Sequence, residues 1–170
     1  MRLARRLAAP AGALALAFSV LLLAGCVSEP TRLPPDTTKA QALQRLGQPT
    51  AVYALPGGVE RLQYSRAPLG FEVSNVDIDP AGRVFSVRQE MDEGLFGSTI
   101  QPRVWREADI LRTYGKPMEI TRVASFDGGV WTWRFKQQNN RRFLYIYVDP
   151  QGLVDHYNVG DELFVEYAPR

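Results

Sequence analysis

The segments DIDPAGRVFSV, at 77–87, and YVDPQGLVDHY, at 147–157, contain nearly the same turn twice within one chain of 170 residues. Each carries Asp-Pro-x-Gly, at 79–82 and at 149–152, between runs of strand-forming residues. In this tetrapeptide the Asp side chain caps the turn, Pro fixes φ and Gly supplies a positive φ. We interpret both segments as the same hairpin in two tandem units, and the repetition favours structure over catalysis.

A short helix precedes the strands of each unit. Apolar spacing predicts a helix over 37–46, with Thr37 or Thr38 as its N-cap, and an equivalent helix in the second unit. Gly47 and Gly115 follow these helices, each two residues before a proline. Glycine at such a place fits the left-handed C-terminal cap, and the proline prevents the helix from continuing.

Alternating apolar residues and turn signals predict four strands in each unit. The predicted strands span 52–55, 59–65, 71–78 and 84–91 in the first unit and 119–124, 130–136, 143–148 and 154–159 in the second, with turns at 56–58 and 127–129 and a final short strand at 163–167. Such small units bury little surface alone, and a single cysteine permits no disulfide within the chain. We therefore expect an α+β fold in which two helix-plus-antiparallel-meander units pack into one body, with the helices on one face of the sheet.

The first 25 residues have the order of a bacterial export signal. Three arginines and no acidic residue precede an apolar run at 13–23, which is shorter than the roughly 20 residues of a membrane-spanning helix. Leu23-Ala24-Gly25-Cys26 resembles the lipobox of bacterial lipoproteins. The resemblance implies cleavage of the signal and acylation of Cys26, with palmitate among the chains; the alternative is a free thiol in an uncleaved membrane segment. Val27 in place of Asp implies, by resemblance to lipoprotein sorting, an outer-membrane location facing the periplasm.

Two further segments are predicted to connect other parts of the chain. Residues 26–36, CVSEPTRLPPD, hold three prolines and no periodic pattern, which predicts a flexible tether that lifts the folded part about 30 Å from the bilayer. The glycines and proline of 93–102 predict a linker between the units. The predicted organisation is a signal peptide at 1–25, a tether at 26–36, units at 37–92 and 103–170, and a linker at 93–102.

Charge and chemistry argue against several functions. Without the signal, 17 Lys and Arg stand against 18 Asp and Glu, a net charge of −1 that argues against nucleic acid as a partner. His156 is the only histidine and Cys26 the only cysteine, so a zinc-type site is excluded. Nucleophile-elbow, P-loop and dinucleotide-binding motifs are also missing. We expect no metal, no cofactor, no small-molecule substrate and no enzyme; only His156 in a cleft beside a carboxylate of perturbed pKa would favour catalysis.

Alignment of the units on the repeated turn separates two faces of the sheet. One face is apolar in both units and is predicted to be the core under the helices; it carries Ser74, Val76 and Ile78 in the first unit and Leu144, Ile146 and Val148 in the second. On the opposite face the units diverge, because Val73, Asn75 and Asp77 align with Phe143, Tyr145 and Tyr147. The neighbouring strand adds Trp131, Trp133 and Phe135, aligned with Glu60, Leu62 and Tyr64.

Aromatic residues contribute much of the binding energy at protein interfaces. We therefore predict that Phe143, Tyr145, Tyr147 and Trp131 bind a protein partner; the alternative is that the rings belong to the core or are covered by the final strand and the linker. Four cations lie around the same hairpin: Arg134, Lys136, Arg141 and Arg142. One interpretation is that they steer an acidic partner or lipid headgroups; the other is that they form a solvated rim.

The first unit resembles a known family. Thr37-Thr38, Ala42-Leu43, Leu46-Gly47 and Pro49, followed by a meander that ends in DPAGRVFSV, resemble the SmpA/OmlA, or BamE-like, family of outer-membrane lipoproteins; the second unit, ending in DPQGLVDHY, resembles it more loosely. Tandem units of this kind also resemble the β-lactamase-inhibitor-protein architecture. The resemblance implies a non-catalytic lipoprotein that supports outer-membrane assembly or envelope integrity by binding other proteins. The alternative is an inhibitor-type module that captures a periplasmic enzyme on the aromatic sheet face, which requires exposure of Tyr145 and Tyr147.

Overall fold

The computed structural model describes residues 30–162 and shows the mixed α+β fold predicted from the sequence. It contains two four-stranded antiparallel sheets and three short α-helices within that range. Cys26, the signal peptide and the final strand predicted at 163–167 lie outside the described residues. The elements in chain order are α1 (Lys39–Leu46), β1 (Ala51–Leu55), β2 (Val59–Ser65), β3 (Val73–Ile78), β4 (Val84–Gln89), α2 (Glu93–Thr99), α3 (Glu107–Tyr114), β5 (Glu119–Val123), β6 (Phe126–Gln137), β7 (Asn140–Val148) and β8 (Val154–Asp161).

Both sheets are meanders in which each strand pairs with the next strand along the chain. The first sheet has the order β1-β2-β3-β4 and the second has the order β5-β6-β7-β8. The register places Leu62 opposite Val76 and Trp131 opposite Ile146. Because Val76 and Ile146 are equivalent positions, Trp131 corresponds to Leu62, and the predicted correspondence with Glu60 is wrong by two residues.

The cause of this slip is an earlier turn in the second unit. The connection between β5 and β6 is the two-residue turn at 124–125, with Val123 opposite Phe126, so the segment 127–129 lies inside β6 and not in the predicted turn. A Cβ on Gly128 would lie 2.2 Å from the carbonyl oxygen of Val148. Close approach of neighbouring backbone therefore requires this glycine.

The repeated turn makes equivalent hydrogen bonds in both units. Asp79 Oδ1 accepts from the backbone N–H of Arg83 at 2.9 Å, and Asp149 Oδ1 accepts from that of Leu153 at 2.9 Å. The glycine that ends each turn has a positive φ, +79° in the first and +74° in the second. The predicted capping role of Asp and the conformational role of Gly are confirmed.

Each turn also holds the start of its unit's helix. The carbonyl of Gly82 accepts from the N–H of Lys39 at 2.9 Å, and the carbonyl of Gly152 accepts from the N–H of Glu107 at 3.2 Å. The first N–H groups of a helix have no partner within the helix, so these bonds satisfy donors that would otherwise need water. The repeated turn thus fixes α1 and α3 on their sheets, a role that the sequence did not reveal.

The N-cap of α1 agrees with the prediction, whereas the conformation of the glycine after its C-terminal end differs from it. Thr38 is the N-cap: its Oγ1 accepts from the N–H of Gln41 at 3.3 Å, while Gln41 Oε1 accepts from the N–H of Thr38 at 2.9 Å. Gly47 has a φ of +78° but a ψ of −163°, and Gly115 has +70° and −165°. This region differs from the left-handed helix conformation that was predicted, and it is essentially restricted to glycine.

Segment 93–102, predicted to be a linker, contains the helix α2. Asp92 caps this helix by accepting from the N–H of Gly94 at 2.9 Å. Phe96 is fully buried, and its ring meets those of Tyr114 and Phe135 edge-on, with centroids 6.0 and 5.2 Å apart. The linker prediction is wrong because the burial of Phe96 outweighs the low helix propensity of the neighbouring glycines.

The segment predicted to be a tether joins the folded body earlier than expected. Pro30–Arg32 form a turn of 3-10 helix, and Leu33 packs against the core of the first sheet. The hydroxyl of Thr37 donates to the carbonyl of Pro34 at 2.6 Å. Residues 30–36 are therefore packed on the first unit, and the remainder of the predicted tether, 26–29, lies outside the described residues.

The side chains form a small core under α1 and a larger core under α2 and α3. The small core contains Leu62, Val76 and Ile78. The larger core is built by β6 and β7 with both later helices, and it also contains Val73 and Met91 from the first unit. All six residues of the predicted core face are buried. Because the larger core includes residues of the first unit, the two units share this core.

The other face of the first sheet receives the C-terminal end of α3. Asn75 Nδ2 donates to the carbonyl of Thr113 at 2.9 Å, and Gln63 Nε2 donates to the carbonyl of Leu111 at 3.2 Å. The Tyr53 hydroxyl also donates to Leu111, at 3.1 Å. The last carbonyls of a helix lack partners within the helix. The polar character of this sheet face therefore has a structural reason, since it satisfies the end of α3.

Candidate functional site

Three of the four predicted binding residues share one face of the second sheet. Phe143, Tyr145 and Tyr147 alternate along β7 with the fully buried Leu144 and Ile146, and each of the three is half-buried. We call the surface formed by Phe143, Tyr145 and Tyr147 the aromatic face. Its rings are not core residues of the described fold.

Among residues 30–162, the aromatic face lacks the helix that covers its counterpart in the first sheet. Asn75, the counterpart of Tyr145, lies under the end of α3. In the second unit the helices pack on the opposite side of the sheet, since Phe96 of α2 and Ile110 of α3 share a core cluster with Leu144. Within residues 30–162, no helix or strand lies over the aromatic face.

The rings of this face support one another. The centroids of Phe143 and Tyr145 are 5.8 Å apart, and Tyr147 stacks on His156 at 4.0 Å with an interplanar angle of 16°. Phe126 meets Tyr147 and His156 edge-on, at 5.2 and 6.0 Å. Mutual packing restricts the rotation of these side chains. Such restriction lowers the conformational entropy that is lost when a surface binds a partner.

Tyr145 combines a supported ring with a polar end. A Cβ on Gly160 would lie 3.2 Å from the Tyr145 ring, so the glycine leaves room for the ring on β8. Burial raises the pKa of the Tyr145 hydroxyl, and the nearby Tyr147 and Glu119 raise it further. The hydroxyl therefore stays protonated at neutral pH and can donate a hydrogen bond. An apolar body with such a polar tip is the reason that Tyr is enriched at interfaces.

Trp131, the fourth predicted binding residue, lies on the other side of the sheet. Its position opposite Ile146 places it on the core face, where its exposed fraction is 7%. Its grouping with the aromatic face is therefore wrong, because the sequence does not reveal which residues of adjacent strands lie opposite one another. Trp131 instead contributes to an open cleft of about 620 Å³ between the start of α3, the β5–β6 hairpin and the turn at 149–150.

This cleft has an apolar floor and a mixed, mainly acidic rim. The floor residues include Ile120, Phe126, Trp131 and Val148, and the charged residues are Glu107, Arg122, Asp127 and Asp149. Asp149 already accepts two backbone N–H bonds of its own turn. Within the described chain no group of three or more His, Cys, Asp or Glu side chains is arranged to hold a metal ion. An apolar floor with a mainly acidic rim is chemically complementary to an apolar or cationic group.

Three of the four predicted cations lie against an aromatic residue of the first unit. Phe71 lies in the loop 66–72 between β2 and β3, not in a strand as predicted. Its ring centroid is 4.9 Å from Lys136 Nζ, 5.1 Å from Arg134 Cζ and 5.6 Å from Arg141 Cζ. These contacts join the first unit to the β6–β7 hairpin of the second.

Arg134 and Arg142 are paired with acidic side chains. Arg134 pairs with Glu162, and Arg142 pairs with Glu93 and, at 3.0 Å, with Asp161. Lys136 and Arg141 are exposed.

His156 lies on the aromatic face and does not line the cleft beside Trp131. Its Nδ1 is 2.8 Å from Asp155 Oδ2, and Asp155 also pairs with Arg103. His156 thus acts as a stacking partner of Tyr147. It does not form the cleft-bound pair that would have favoured an enzyme.

Sequence reasoning missed the contributions of Phe126, His156 and Phe71. His156 was detectable, because the turn at 149–152 sets the register that places it opposite Tyr147. Phe126 was hidden by the misplaced turn at 127–129. No local signal places Phe71 against a hairpin more than sixty residues away.

Cys26, the predicted lipidation site, lies outside the described residues. Within residues 30–162, none of the helices has the length and apolar character needed to cross a membrane.

Comparison with known proteins gives one distant likeness. No protein-family model matches the chain, and no curated protein matches it. The chain is similar to the crystal structure of a DUF4309 family protein (YjgB) from Bacillus subtilis subsp. subtilis str. 168, with 13% sequence identity, a TM-score of 0.29, and coverage of 74% of this chain and 79% of that chain.

Proposed function

We propose that the protein is a lipid-anchored outer-membrane lipoprotein that faces the periplasm and binds another envelope protein, without catalysis, as a scaffold or accessory factor in outer-membrane assembly or envelope integrity. The proposed anchor is acylated Cys26, supported by the lipobox-like Leu23-Ala24-Gly25-Cys26. The observation that carries the binding role is the aromatic face, which within residues 30–162 lacks the helix that covers the corresponding face of the first sheet.

We further propose that the two units are tandem repeats of the SmpA/OmlA type in a β-lactamase-inhibitor-protein-like arrangement. The equivalent order of α1 with β1 to β4 and α3 with β5 to β8 supports this proposal. The matching turns at 79–82 and 149–152, with the same bonds to the helices, support it as well.

The size of the aromatic face indicates what a partner must do. A buried aromatic side chain covers about 150–250 Å², and each of the three rings has about a third or less of its surface exposed, so on the order of 200 Å² or less remains to be covered. At about 25 cal/mol per Å² this area contributes up to about 5 kcal/mol before the costs of association. A standard interface buries about 800 Å² on each partner, so the face is the centre of a larger contact that extends to exposed neighbours such as Thr121 and Asn158.

Photo-crosslinking in intact cells tests the binding role. A photoreactive residue at Tyr145 is expected to capture a defined envelope protein, because this position lies at the centre of the aromatic face. Phe85, which is 59% exposed on the first sheet, is the matched control position. The double substitution Tyr145→Ala and Tyr147→Ala is expected to weaken partner binding by about 2 kcal/mol or more. Identical crosslink patterns from Tyr145 and Phe85 would contradict the proposed site.

Fractionation tests the anchor separately. Cys26→Ala is expected to move the protein from the membrane fraction to the soluble periplasmic fraction and to produce the envelope phenotype of a deletion. An unchanged distribution and phenotype would count strongly against the proposed anchor.

An inhibitor-type module that captures a periplasmic enzyme on the same face is the second candidate. The partly exposed rings of Tyr145 and Tyr147 favour it, since this function needs both rings accessible. If the captured protein is an enzyme whose activity falls in proportion to added lipoprotein, the inhibitor function is supported over the scaffold.

A further inference from the structure

The cleft beside Trp131 begins at a helix position whose charge is reversed between the two units. The N–H of Lys39 donates to the carbonyl of Gly82 in the first repeated turn, and the N–H of Glu107 donates to that of Gly152 in the second. Lys39 and Glu107 are therefore equivalent, and each is the first residue of its helix. The first helix brings an ammonium group to this place, and the second brings a carboxylate.

The strand position beside this helix residue changes as well. Glu60 lies opposite Ile78, and Gly129 lies opposite Val148, so Glu60 and Gly129 are equivalent. In the first unit Lys39 Nζ lies 2.6 Å from Glu60 Oε2. Gly129 has no side chain to form such a pair, and it lines the cleft. The first unit thus fills this place with a lysine of its own, whereas the second unit has a cleft there.

Carboxylates outnumber cations around this cleft. Glu107, Asp127 and Asp149 line it, and Arg122 is the one cation among its lining residues in the described chain. Within residues 30–162, none of these four side chains takes part in a salt bridge. The excess negative charge beside an apolar floor therefore attracts a cation from outside the fold, as the corresponding place in the first unit holds a cation from within it.

The floor of the cleft also holds a hydrogen-bond donor without an acceptor. Trp131 is only 7% exposed, and a Cβ on Gly129 would lie 3.4 Å from its Nε1, so the indole N–H lies beside a residue that lines the cleft. No described residue accepts a hydrogen bond from this N–H. Because a largely buried donor is costly to leave unpaired, it favours a ligand that supplies an acceptor oxygen.

We propose that this cleft binds a lysine residue of a partner polypeptide. The ammonium group lies among the carboxylates, the aliphatic chain covers the apolar floor, and a main-chain carbonyl beside the lysine accepts from Trp131 Nε1. A free amine would satisfy the carboxylates but supplies no carbonyl. The volume of about 620 Å³ falls within the range of about 300–1,000 Å³ that is typical of ligand pockets. This site is separate from the aromatic face and does not depend on the proposed lipid anchor.

Titration of the full-length, isotope-labelled protein with the acetylated and amidated tripeptide glycyl-lysyl-glycine tests the assignment by nuclear magnetic resonance. The indole N–H signal of Trp131, identified by its loss in Trp131→Phe, is expected to shift to saturation, while those of Trp105 and Trp133 stay in place. The same peptide with norleucine in place of lysine lacks the ammonium group and is expected to bind about tenfold more weakly. Butylamine keeps the ammonium group but lacks the carbonyl, and is expected to bind about fivefold more weakly.

Charge variants of the cleft are expected to act in opposite directions. Glu107→Gln should weaken binding of the lysine peptide about fivefold, and Arg122→Gln should strengthen it about twofold. Glu107→Lys restores the residue type of the first unit and is expected to prevent binding, because the cleft then holds its own cation. Glu119→Gln, on β5 but outside the cleft lining, is the matched control and should leave the affinity unchanged.

Each alternative result overturns a defined part of the proposal. A Trp131 signal that stays in place at every peptide concentration, in protein with a native circular dichroism spectrum, overturns the site itself. Equal affinities for the lysine and norleucine peptides overturn the role of the carboxylates, as do equal losses in Glu107→Gln and Glu119→Gln. If butylamine binds as tightly as the lysine peptide, the cleft is a site for free amines and the assignment to a polypeptide is wrong.

Discussion

At the residue scale, Glu90 shows the energetic cost of burying a carboxyl group where the two units meet. Its side chain is almost fully buried; Oε1 accepts from Asn75 Nδ2 at 3.1 Å and lies 3.9 Å from Arg88 Nε. Oε2 has no hydrogen-bond partner among the described residues. Burial raises the pKa of Glu90, and Asp77 raises it further, while the Asn75 hydrogen bond and the charges of Arg88 and Arg61 lower it. Burial outweighs these stabilising contacts.

The raised pKa of Glu90 predicts a pH-dependent stability. Above the ordinary value of 4.5, the folded state binds more protons at this residue than the unfolded state does, so the free energy of unfolding falls as pH rises through the raised pKa. Urea unfolding at a series of pH values is expected to show this decline in the wild type and a flatter profile in Glu90→Gln. Glu119→Gln, at an exposed position of β5, should leave the profile unchanged. An identical slope in wild type and Glu90→Gln would contradict the assignment.

At the element scale, the two helices end in the same way but in different surroundings. Gly47 and Gly115 share a positive φ with an extended ψ. A Cβ on Gly47 would meet nothing within 4 Å, whereas a Cβ on Gly115 would lie 2.8 Å from Gln63 Oε1. Gln63 cannot move freely, because it is buried and its amide donates to Leu111 and Asn75.

This difference makes the two glycines a matched pair for mutation. Gly47→Ala is expected to lower the free energy of unfolding by about 1–3 kcal/mol through backbone strain alone. Gly115→Ala adds the displacement of the Gln63 amide and is expected to cost about 1–2 kcal/mol more. Urea denaturation of both variants measures the difference. Equal losses would mean that Gln63 does not constrain this position.

Local sequence signals predicted the helices and strands themselves better than they predicted which elements pack against one another. The eight strands, the helices α1 and α3, Thr38 as N-cap and the repeated turn were all predictable, because periodicity and turn chemistry are properties of short segments. Helix α2 was missed, since its glycines suggested a linker while Phe96 reveals its burial only in the folded chain. The side of the sheet occupied by Trp131 depends on the β6–β7 register, in which Gln137 lies opposite Asn140 across the turn at 138–139. Alignment of the units on their double glycines does not give this register.

At the scale of the whole molecule, the units share a core and a polar seam. Val73 and Met91 of the first unit pack with the residues of the second. Asn75, which is 1% exposed, donates both to Thr113 at the end of α3 and to Glu90. The two sheets should therefore lose their structure together.

Asn75→Ala tests this coupling. The substitution leaves the Thr113 carbonyl and Glu90 without their donor, and the expected loss is about 2 kcal/mol of unfolding free energy. All three tryptophans, Trp105, Trp131 and Trp133, lie in the second unit. Tryptophan fluorescence therefore reports the second unit alone, whereas far-ultraviolet circular dichroism reports both.

In Asn75→Ala, the fluorescence and dichroism transitions are expected to move to lower urea concentration together. The exposed Asn158 of β8 supplies the control, and Asn158→Ala should change the unfolding free energy by no more than about 0.5 kcal/mol. If the dichroism of Asn75→Ala shows an early separate transition while the fluorescence is unchanged, the units unfold independently.

The candidate site was only half visible in the sequence. Divergence between aligned positions identified Phe143, Tyr145 and Tyr147, because a repeat exposes the places where one copy departs from the other. The reason for the divergence lies in tertiary contacts: the first copy of this face must satisfy the carbonyls of α3. That requirement joins residues 38 or more positions apart and leaves no pattern within a single strand.

The contact between the first sheet and α3 is heterologous, which means that it joins two different surfaces of the repeated unit. A sheet face of one unit receives a helix end of the next. Contacts of that kind do not close on themselves, and equivalent units would go on adding head to tail. The positions of the second sheet that correspond to Gln63 and Asn75 of the first hold Thr132 and Tyr145. The replacement removes the donors that bind the helix end in the first sheet, so the aromatic face is not built to receive a helix end in the same way.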